Sequence, residues 1–495
     1  MTQAHAAKFT TGSMMRHVVV MTATGSIGLM AVFVVDLLNL FYISLLGEQE
    51  LAAAIGYAGT VLFFATSICI GVTISGVALV SQALGARERD RARRLAASSL
   101  VFMIVVSTVL TLATLPFVGS ILSSLGAEGH THAIAWRFLL MVLPSTPLLG
   151  IGMSCAGLLR SAGDARRAMY VTLVGGLVTA ALDPLLIFAF GLGVDGAAIA
   201  SVFSRVALTA VGLYGAVKVH DLVARPSAAA AWADAGALNR IALPAVLANV
   251  ATPAGNAFVT ATVATFGDSA VAGFAVVWRI VPVAFGAIFA LSGSIGPILG
   301  QNLGARRFDR VRRALGDSLT FIGLYCVAVW LVLALLTEPI VTMFGASGDG
   351  ATLIRFFCLF MAGTFVFVGA LFVATAAFNN LGYPTLSTAF NWGRATLGTI
   401  PFVWLGAHWF GAVGVLVGQA AGSIVFGIGA ILASYQVVKR IAARGAAPVE
   451  EQTLITPAIG PFTSGKGATA IDWADLGPDE ADAAEPAADA PPSRG

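Results

Sequence analysis

Three observations predict an all-α polytopic membrane protein of twelve transmembrane helices in two pseudo-symmetric six-helix lobes: an apolar composition, basic loops that alternate along the chain, and an internal repeat. Hydrophobic residues make up 58% of the 495 positions, charged residues only 11%, and the mean hydropathy is +0.88. An aqueous core cannot hide that much apolar surface, so lipid must be the solvent. A hydrocarbon layer of ~30 Å takes ~20 apolar residues per helix, and the stretch from Met15 to Val438 divides into such segments. Breaks at glycine, proline and charge place spans near 17–46, 51–83, 95–125, 131–160, 168–191, 195–219, 240–266, 271–302, 314–345, 351–380, 385–406 and 411–437.

The basic residues fall in alternate loops. Arg87 to Arg94, then Arg160, Arg166 and Arg167, then Lys218, Arg225 and Arg240, then Arg306 to Arg313 all lie on one side, and the opposite loops carry no Lys or Arg. With Lys8, Arg16, Lys439, Arg440 and Arg444, 21 of the 28 basic residues share a face, which the positive-inside rule assigns to the cytoplasm. Both termini are then expected inside a bacterial inner membrane.

The segment SQALGARERDRARR at 81–94 returns as GQNLGARRFDRVRR at 300–313, an offset of 219 residues. Nearly the same offset pairs Arg137 with Arg355, Gly163 with Gly382, Pro184 with Pro401 and Gly196 with Gly414. Two six-helix halves follow, and because six is even they are parallel repeats about an axis along the membrane normal. The expected organisation is a cytoplasmic N-terminus at 1–16, an N-lobe at 17–219, a cytoplasmic linker at 220–239, a C-lobe at 240–437 and an acidic Ala/Pro-rich tail at 438–495. Nine of the 25 acidic residues lie in the last 46 positions, in a composition that cannot offset its ordering entropy, so the tail is expected to be disordered. The basic Gly-Ala-Arg loops read as topological anchors and headgroup contacts.

Other chemistries find little support. Cys69, Cys155, Cys326 and Cys358 lie singly in apolar segments, as packing residues do, and the six histidines form no metal-ligand pattern. No Walker loop appears, so nucleotide hydrolysis is not expected to supply the energy. The first apolar run is too long for a signal peptide and reads as a retained helix.

The repeated Gln-x-Leu-Gly-Ala-Arg loop, the stretch GEQELAAA from Gly47, and Leu182-Asp-Pro followed by GLGVDGAAIAS at 191–201 together resemble the multidrug and toxic compound extrusion (MATE) family, over about residues 15–440. The resemblance implies a V-shaped pair of lobes and cation-coupled export of amphipathic, often cationic, compounds by alternating access. It is closest to the DNA-damage-inducible type, which keeps its acids in the N-terminal lobe. Asp183 matches the Leu-Asp-Pro aspartate, Ser201 a hydroxyl position, and Thr179 a position where the family often has Asn. The first helix departs from the pattern: the family's acid position falls on Asn39, Asp36 is one turn earlier, and the usual proline is replaced by Thr24. Only Gly25 and Gly28 remain to permit bending there.

Charge at bilayer depth costs ~2.5–3.5 kcal/mol on insertion scales, and two carboxylates, Asp36 and Asp183, lie deep in spans. The repeat places Asn256 opposite Asp36 and a residue near Ile400 opposite Asp183, so the acids belong to the first copy alone. Asp36 and Asp183 are the expected cation-coupling pair, with Asn39, Thr179 and Ser201 as neutral oxygens. Burial suits such carboxyls to proton exchange near neutral pH, and the same set suits Na⁺ as the alternative. Arg205, Arg279 and Arg394 also fall inside spans. Arg279 and Arg394, with Tyr57 and Asn256, are candidates for a substrate cavity, to which Phe63, Phe64 and Trp278 would add aromatic surface. Arg205 is a candidate partner for one aspartate, and Arg137 and Arg355 are expected to snorkel to the interface.

The expected function is secondary efflux of organic compounds by H⁺ antiport, without catalysis, cofactor, metal or nucleic acid. The expected partners are small-molecule substrates and membrane lipids, and the expected state is a monomer. A flippase for lipid-linked precursors or an uncoupled channel are the rival readings.

Overall fold

A computed structural model describes residues 7–44 and 49–443, except for the side chains of residues 36, 37, 40, 41, 43, 44, 49 and 52. The side chain of Asp36, the loop at Gly47 and the tail from 444 therefore lie outside the described residues. The chain is all-α. Its N-lobe consists of α1 (Met14–Ser44), α2 (Gln49–Gly85), α3 (Arg89–Ser124), α4 (Gly129–Ser161), α5 (Ala165–Ala189) and α6 (Gly193–Val219). The C-lobe consists of α7 (Ala228–Ala264), a bent α8 (Asp268–Ala284 and Gly286–Gly304), α9 (Phe308–Leu335), α10 (Gly348–Asn380), α11 (384–410) and α12 (412–443).

Among the described residues, ten helical stretches are long and apolar enough to cross a membrane. The two arms of α8, inclined at 48°, make an eleventh; Pro282, which lacks an N–H, sits in the turn before the bend. The stretch Pro384–Ala443 holds two spans, because the chain reverses at Gly411 (φ 60°, ψ −144°). Past that turn the backbones of Gly406 and Gly414 touch where a Cβ on either would overlap the other, and a Cβ on Gly422 would overlap the Gly398 carbonyl. Twelve crossings result. The helix α7 starts at Ala228, its first turn capped by Ser227, so it takes up most of the expected 220–239 linker.

Packing repeats as the sequence does. In the N-lobe α1 packs on α5, α2 on α3 and α4, and α6 on α4 and α5; in the C-lobe α7 packs on α11, α8 on α9 and α10, and α12 on α10 and α11. The lobes meet through α1 against α8, α2 against α7, and α2 against α8 near the pseudo-axis. Each lobe has its own apolar core, and the first turns of α1, with Met14, Val18 and Met21, join the C-lobe core.

The repeated loop is where the lobes lock. At the end of α2, Gln82 Nε2 donates to the carbonyl of Asn380, the last residue of α10, at 2.8 Å. At the end of α8, Gln301 Nε2 donates to the carbonyl of Ser161, the last residue of α4, at 2.7 Å. Both pairs are buried, and the same 219-residue offset relates the donors and the acceptors. A helix end leaves its last carbonyls without intrahelical partners, so each glutamine satisfies an orphan group of the opposite lobe. Gly85 and Gly304 permit the approach: a Cβ on Gly85 would overlap the Gln301 carbonyl, and one on Gly304 the Gln82 carbonyl. The left-handed residue that ends each helix is then an arginine, Arg87 (φ 64°) and Arg306 (φ 57°), rather than the motif's glycine. The loops are thus interlobe contacts as well as basic anchors.

The segment before α1 lies across this seam. Phe9, 1% exposed, donates its N–H to Gln301 Oε1 at 2.9 Å, and its carbonyl accepts from Asn302 and Arg310. Lys8 Nζ donates to Gly163 O of the N-lobe at 2.8 Å, and Arg307 and Arg310 of the C-lobe hold the carbonyls of Thr10 to Gly12.

Several charges that the sequence left single are paired. Arg137 forms an ion pair with Asp195, and Arg355 binds Glu338 through two nitrogens at 2.7 and 2.9 Å, so neither simply snorkels. On the basic face Asp164 caps α5, accepting from the Arg167 N–H at 3.0 Å, the Arg167 guanidinium at 2.5 Å and His220 Nε2 at 2.8 Å. Burial alone would raise the Asp164 carboxyl, but the bonds from His220 and Arg167 outweigh it and hold the group well below the usual carboxylate range.

Two outcomes follow. A carboxyl depressed in the folded state adds stability that is complete above its unfolded value, ~3.9, and is lost as pH falls toward its folded value. Asp164→Asn should therefore lower the thermal midpoint of the detergent-solubilised protein by a constant amount at neutral pH, and by progressively less below about pH 4. Removing both lock glutamines leaves two buried carbonyls unsatisfied, at ~1–3 kcal/mol each. Spin labels at the exposed positions Ala86 and Asp309 should report a single short separation in the parent and a broadened, longer one in Gln82→Ala/Gln301→Ala. The four native cysteines are all buried and should not compete for label.

Candidate ion-coupling and substrate sites

The α-helical part of α5 ends at Pro184, directly after Asp183, and continues as a π-helical turn over Leu185–Ala189. The proline breaks the i to i−4 ladder there, and such bulges relieve the clash. Asp183 is fully buried. Its Oδ2 accepts from Asn39 Nδ2 of α1 at 3.0 Å, and its Oδ1 has no hydrogen-bond partner among the described residues. Buried polar atoms are rarely left so.

Of the expected coupling residues, the structure brings Asn39 and Asp183 together. Thr179 instead donates to the Gly175 carbonyl at 3.2 Å and Ser201 to the Ala197 carbonyl at 2.9 Å, each on its own helix. The backbone of Asp36 is in α1, with its side chain outside the described residues. Among the described residues Arg205 pairs with no aspartate: it donates to Val142 O and Ser145 Oγ, each at 2.9 Å, where α4 is interrupted by a 3₁₀ turn. That break frees carbonyls for the guanidinium, a signal that the sequence showed only as Leu143-Pro-Ser.

The second site lies in the C-lobe, a cavity of ≈ 830 Å³ including its mouth, between α7, α8, α10, α11 and α12. Aromatic side chains dominate its walls: Phe289 packs on Phe365 and Phe372, and Phe274 on Trp278. Its polar members are Thr252, Asn256, Thr364, Arg394, Gln419 and Ser423, with no carboxylate among them. Arg394 stands just before the break in α11, is 7% exposed, and donates from Nη2 to Thr252 Oγ1 at 3.0 Å. Its Nε is buried without a partner among the described residues. A helix end favours a cation by ~0.3–1 kcal/mol, which is well short of the ~2.5–3.5 kcal/mol cost of a charge at this depth.

The substrate candidates therefore divide. Arg394 and Asn256 line the cavity, as does Trp278. Arg279 is exposed on α8 and Tyr57 is in the N-lobe, its hydroxyl donating to Gly126 O at 3.2 Å; neither lines the cavity. Which face of a bent α8 turns inward depends on the bend, and one residue separates Trp278 inside from Arg279 outside. Phe63 and Phe64 are each 47% exposed. Sequence reasoning missed Thr252, Phe289, Phe365 and Phe372, for which periodicity in a uniformly apolar chain carries no signal.

Comparison with known proteins gives this architecture a family. The MatE family model matches twice, at residues 26–185 and 244–405, equivalent parts of the two lobes. An FAD transporter of Shewanella oneidensis is 28% identical over 430 residues, covering 85% of this chain and 93% of that protein. The multidrug export protein MepA of Staphylococcus aureus is 24% identical over 332 residues, 65% of this chain and 72% of MepA. Among solved structures, the Vibrio cholerae MATE transporter VcmN in its bent form superposes with a TM-score of 0.81 at 23% identity, covering 86% of this chain and 97% of VcmN. A MOP superfamily transporter from Pyrococcus furiosus gives 0.81 at 21% identity, with 88% and 98% coverage. At those identities the superpositions show the fold, and the doubled family match shows descent: the chain is a multi-pass membrane transporter that belongs to the MATE family.

Proposed function

We propose that the chain exports organic molecules across a bacterial inner membrane by antiport, with H⁺ as the coupling ion and Asp183 as the group that carries it. The observation that supports this is the buried Asp183 carboxylate, bound on one oxygen by Asn39 of α1 and open on the other. Protonation removes a charge from the α1–α5 contact, and α1 also packs on α8 of the other lobe, so the event at Asp183 is transmitted to the interlobe seam. A coupling ion drives transport only through such a difference in affinity between two states.

Placing the basic loops in the cytoplasm makes the glutamine lock the inner gate, closed in this structure, with both termini inside. Relatives named as a multidrug export protein and an FAD transporter support small organic substrates. Both the lobe repeat and the buried acid favour this reading over a flippase or a channel.

Inverted membrane vesicles loaded with the parent or with Asp183→Asn test the proposal, with ethidium and flavin mononucleotide as substrates. An imposed pH gradient should drive uptake by the parent of at least one of them, and Asp183→Asn, which retains an acceptor for Asn39, should reduce it to the level of vesicles lacking the protein. Uptake by Asp183→Asn at the parent's rate, or uptake driven equally by a Na⁺ gradient alone, would refute proton coupling at this residue.

A further inference from the structure

We infer that the C-lobe cavity binds an amphipathic organic anion, its acidic group on the guanidinium of Arg394 and its aromatic body against Phe289, Phe365 and Phe372. The inference deepens the transport reading, since it names the chemical class that the transporter would carry, and it opposes the cationic class that the family resemblance implies.

Charge decides the sign of the ligand. The cavity has an arginine and no carboxylate in its walls, and a cation entering it would be repelled in a medium of low dielectric constant, where charges act most strongly. Arg394 carries five N–H donors in a fixed fork; one nitrogen reaches Thr252 Oγ1 and another, Nε, has no partner among the described residues. No carboxylate forms an ion pair with it among the described residues. A carboxylate, sulfonate or phosphate would accept two parallel bonds from such a fork and neutralise the charge at once.

The rest of the pocket suits the rest of such a molecule. Its walls are mostly aromatic and aliphatic with a few polar groups, the makeup of a small-molecule site. The three phenylalanines offer ring faces and edges to a planar aromatic body. Asn256 and Gln419 supply amides that both donate and accept, as ring carbonyls or ribityl hydroxyls require. The two lobes then hold opposite charges: an acid in the N-lobe for the coupling cation, a base in the C-lobe for the cargo.

Flavin mononucleotide and riboflavin share a ring system and differ by one phosphate, so their pairing isolates the anionic group. Binding to the purified full-length protein, read by quenching of flavin fluorescence without any ion gradient, should favour flavin mononucleotide over riboflavin by about tenfold or more, as expected for a charge-assisted contact. Arg394→Gln should abolish that preference while leaving riboflavin binding in place, which also reports an intact pocket; Arg394→Lys should retain part of it. Arg279→Gln, an equal change in net charge at an exposed position outside the cavity lining, should leave the preference unchanged. Binding is read on the parent protein without an ion gradient, so a failure of proton coupling would not be mistaken for a failure of this site. Equal affinity of the parent for both flavins, no binding of flavin mononucleotide, an Arg394→Gln variant that keeps the preference, or displacement by ethidium in preference to flavin mononucleotide would overturn the assignment.

Discussion

Two hydrogen bonds, Gln82 to Asn380 and Gln301 to Ser161, are the constraint on which the arrangement of the lobes depends. Each amide satisfies the terminal carbonyl of a helix in the other lobe, where no water is available to do so. Because donors and acceptors are related by the same repeat, one sequence motif supplies both halves of the closure. The glycine three residues after each glutamine removes the only atom that would keep the two helix ends apart. The strap before α1 adds Phe9 to this seam, and Met14, Val18 and Met21 of α1 continue the contact into the C-lobe core.

Symmetry makes the scaffold, and its breaking makes the function. The strap from Lys8 to Gly12 crosses the seam once, fastening to Gly163 on one side and to Gln301, Asn302, Arg307 and Arg310 on the other. In the interior the N-lobe keeps Asp183, and the C-lobe has Arg394 in an aromatic cavity. The first copy's Asp36 corresponds to Asn256 in that cavity, so one position of the repeat is acidic in one lobe and neutral in the other. Asp183 contacts α1 and the aromatic cavity is walled in part by α8, the two helices that pack on each other between the lobes.

Much of this was legible in the sequence, for identifiable reasons. Hydropathy and the basic loops gave the crossings, because lipid allows no other disposition of apolar helices and charged turns. The depth of Asp183 marked it, because a buried acid is costly enough to need a purpose. Asn39 was legible as a candidate and proved to be the partner of that acid. The basic motif was seen as a repeat, yet its glutamines were passed over: a side chain that caps a helix of the other lobe looks, in sequence, like any polar residue near a helix end. Arg279 and Arg394 could not be told apart, since the bend in α8 and the break in α11 set which faces inward. Arg205 and Thr179 turned to backbone oxygens because helix interruptions and helical back-bonding offer them closer acceptors than the aspartate.

The central claim, that transport requires the glutamine seam to open, is tested most directly by fastening it reversibly. Cysteines at Ala86 and Asp309, on the exposed face of the two loops, would be joined by a cleavable thiol cross-linker, and substrate export followed in vesicles before and after its reduction. Export should stop when the link is made and return when it is cut. Export that continues undiminished across the intact link would contradict the opening of this seam as a step in the cycle.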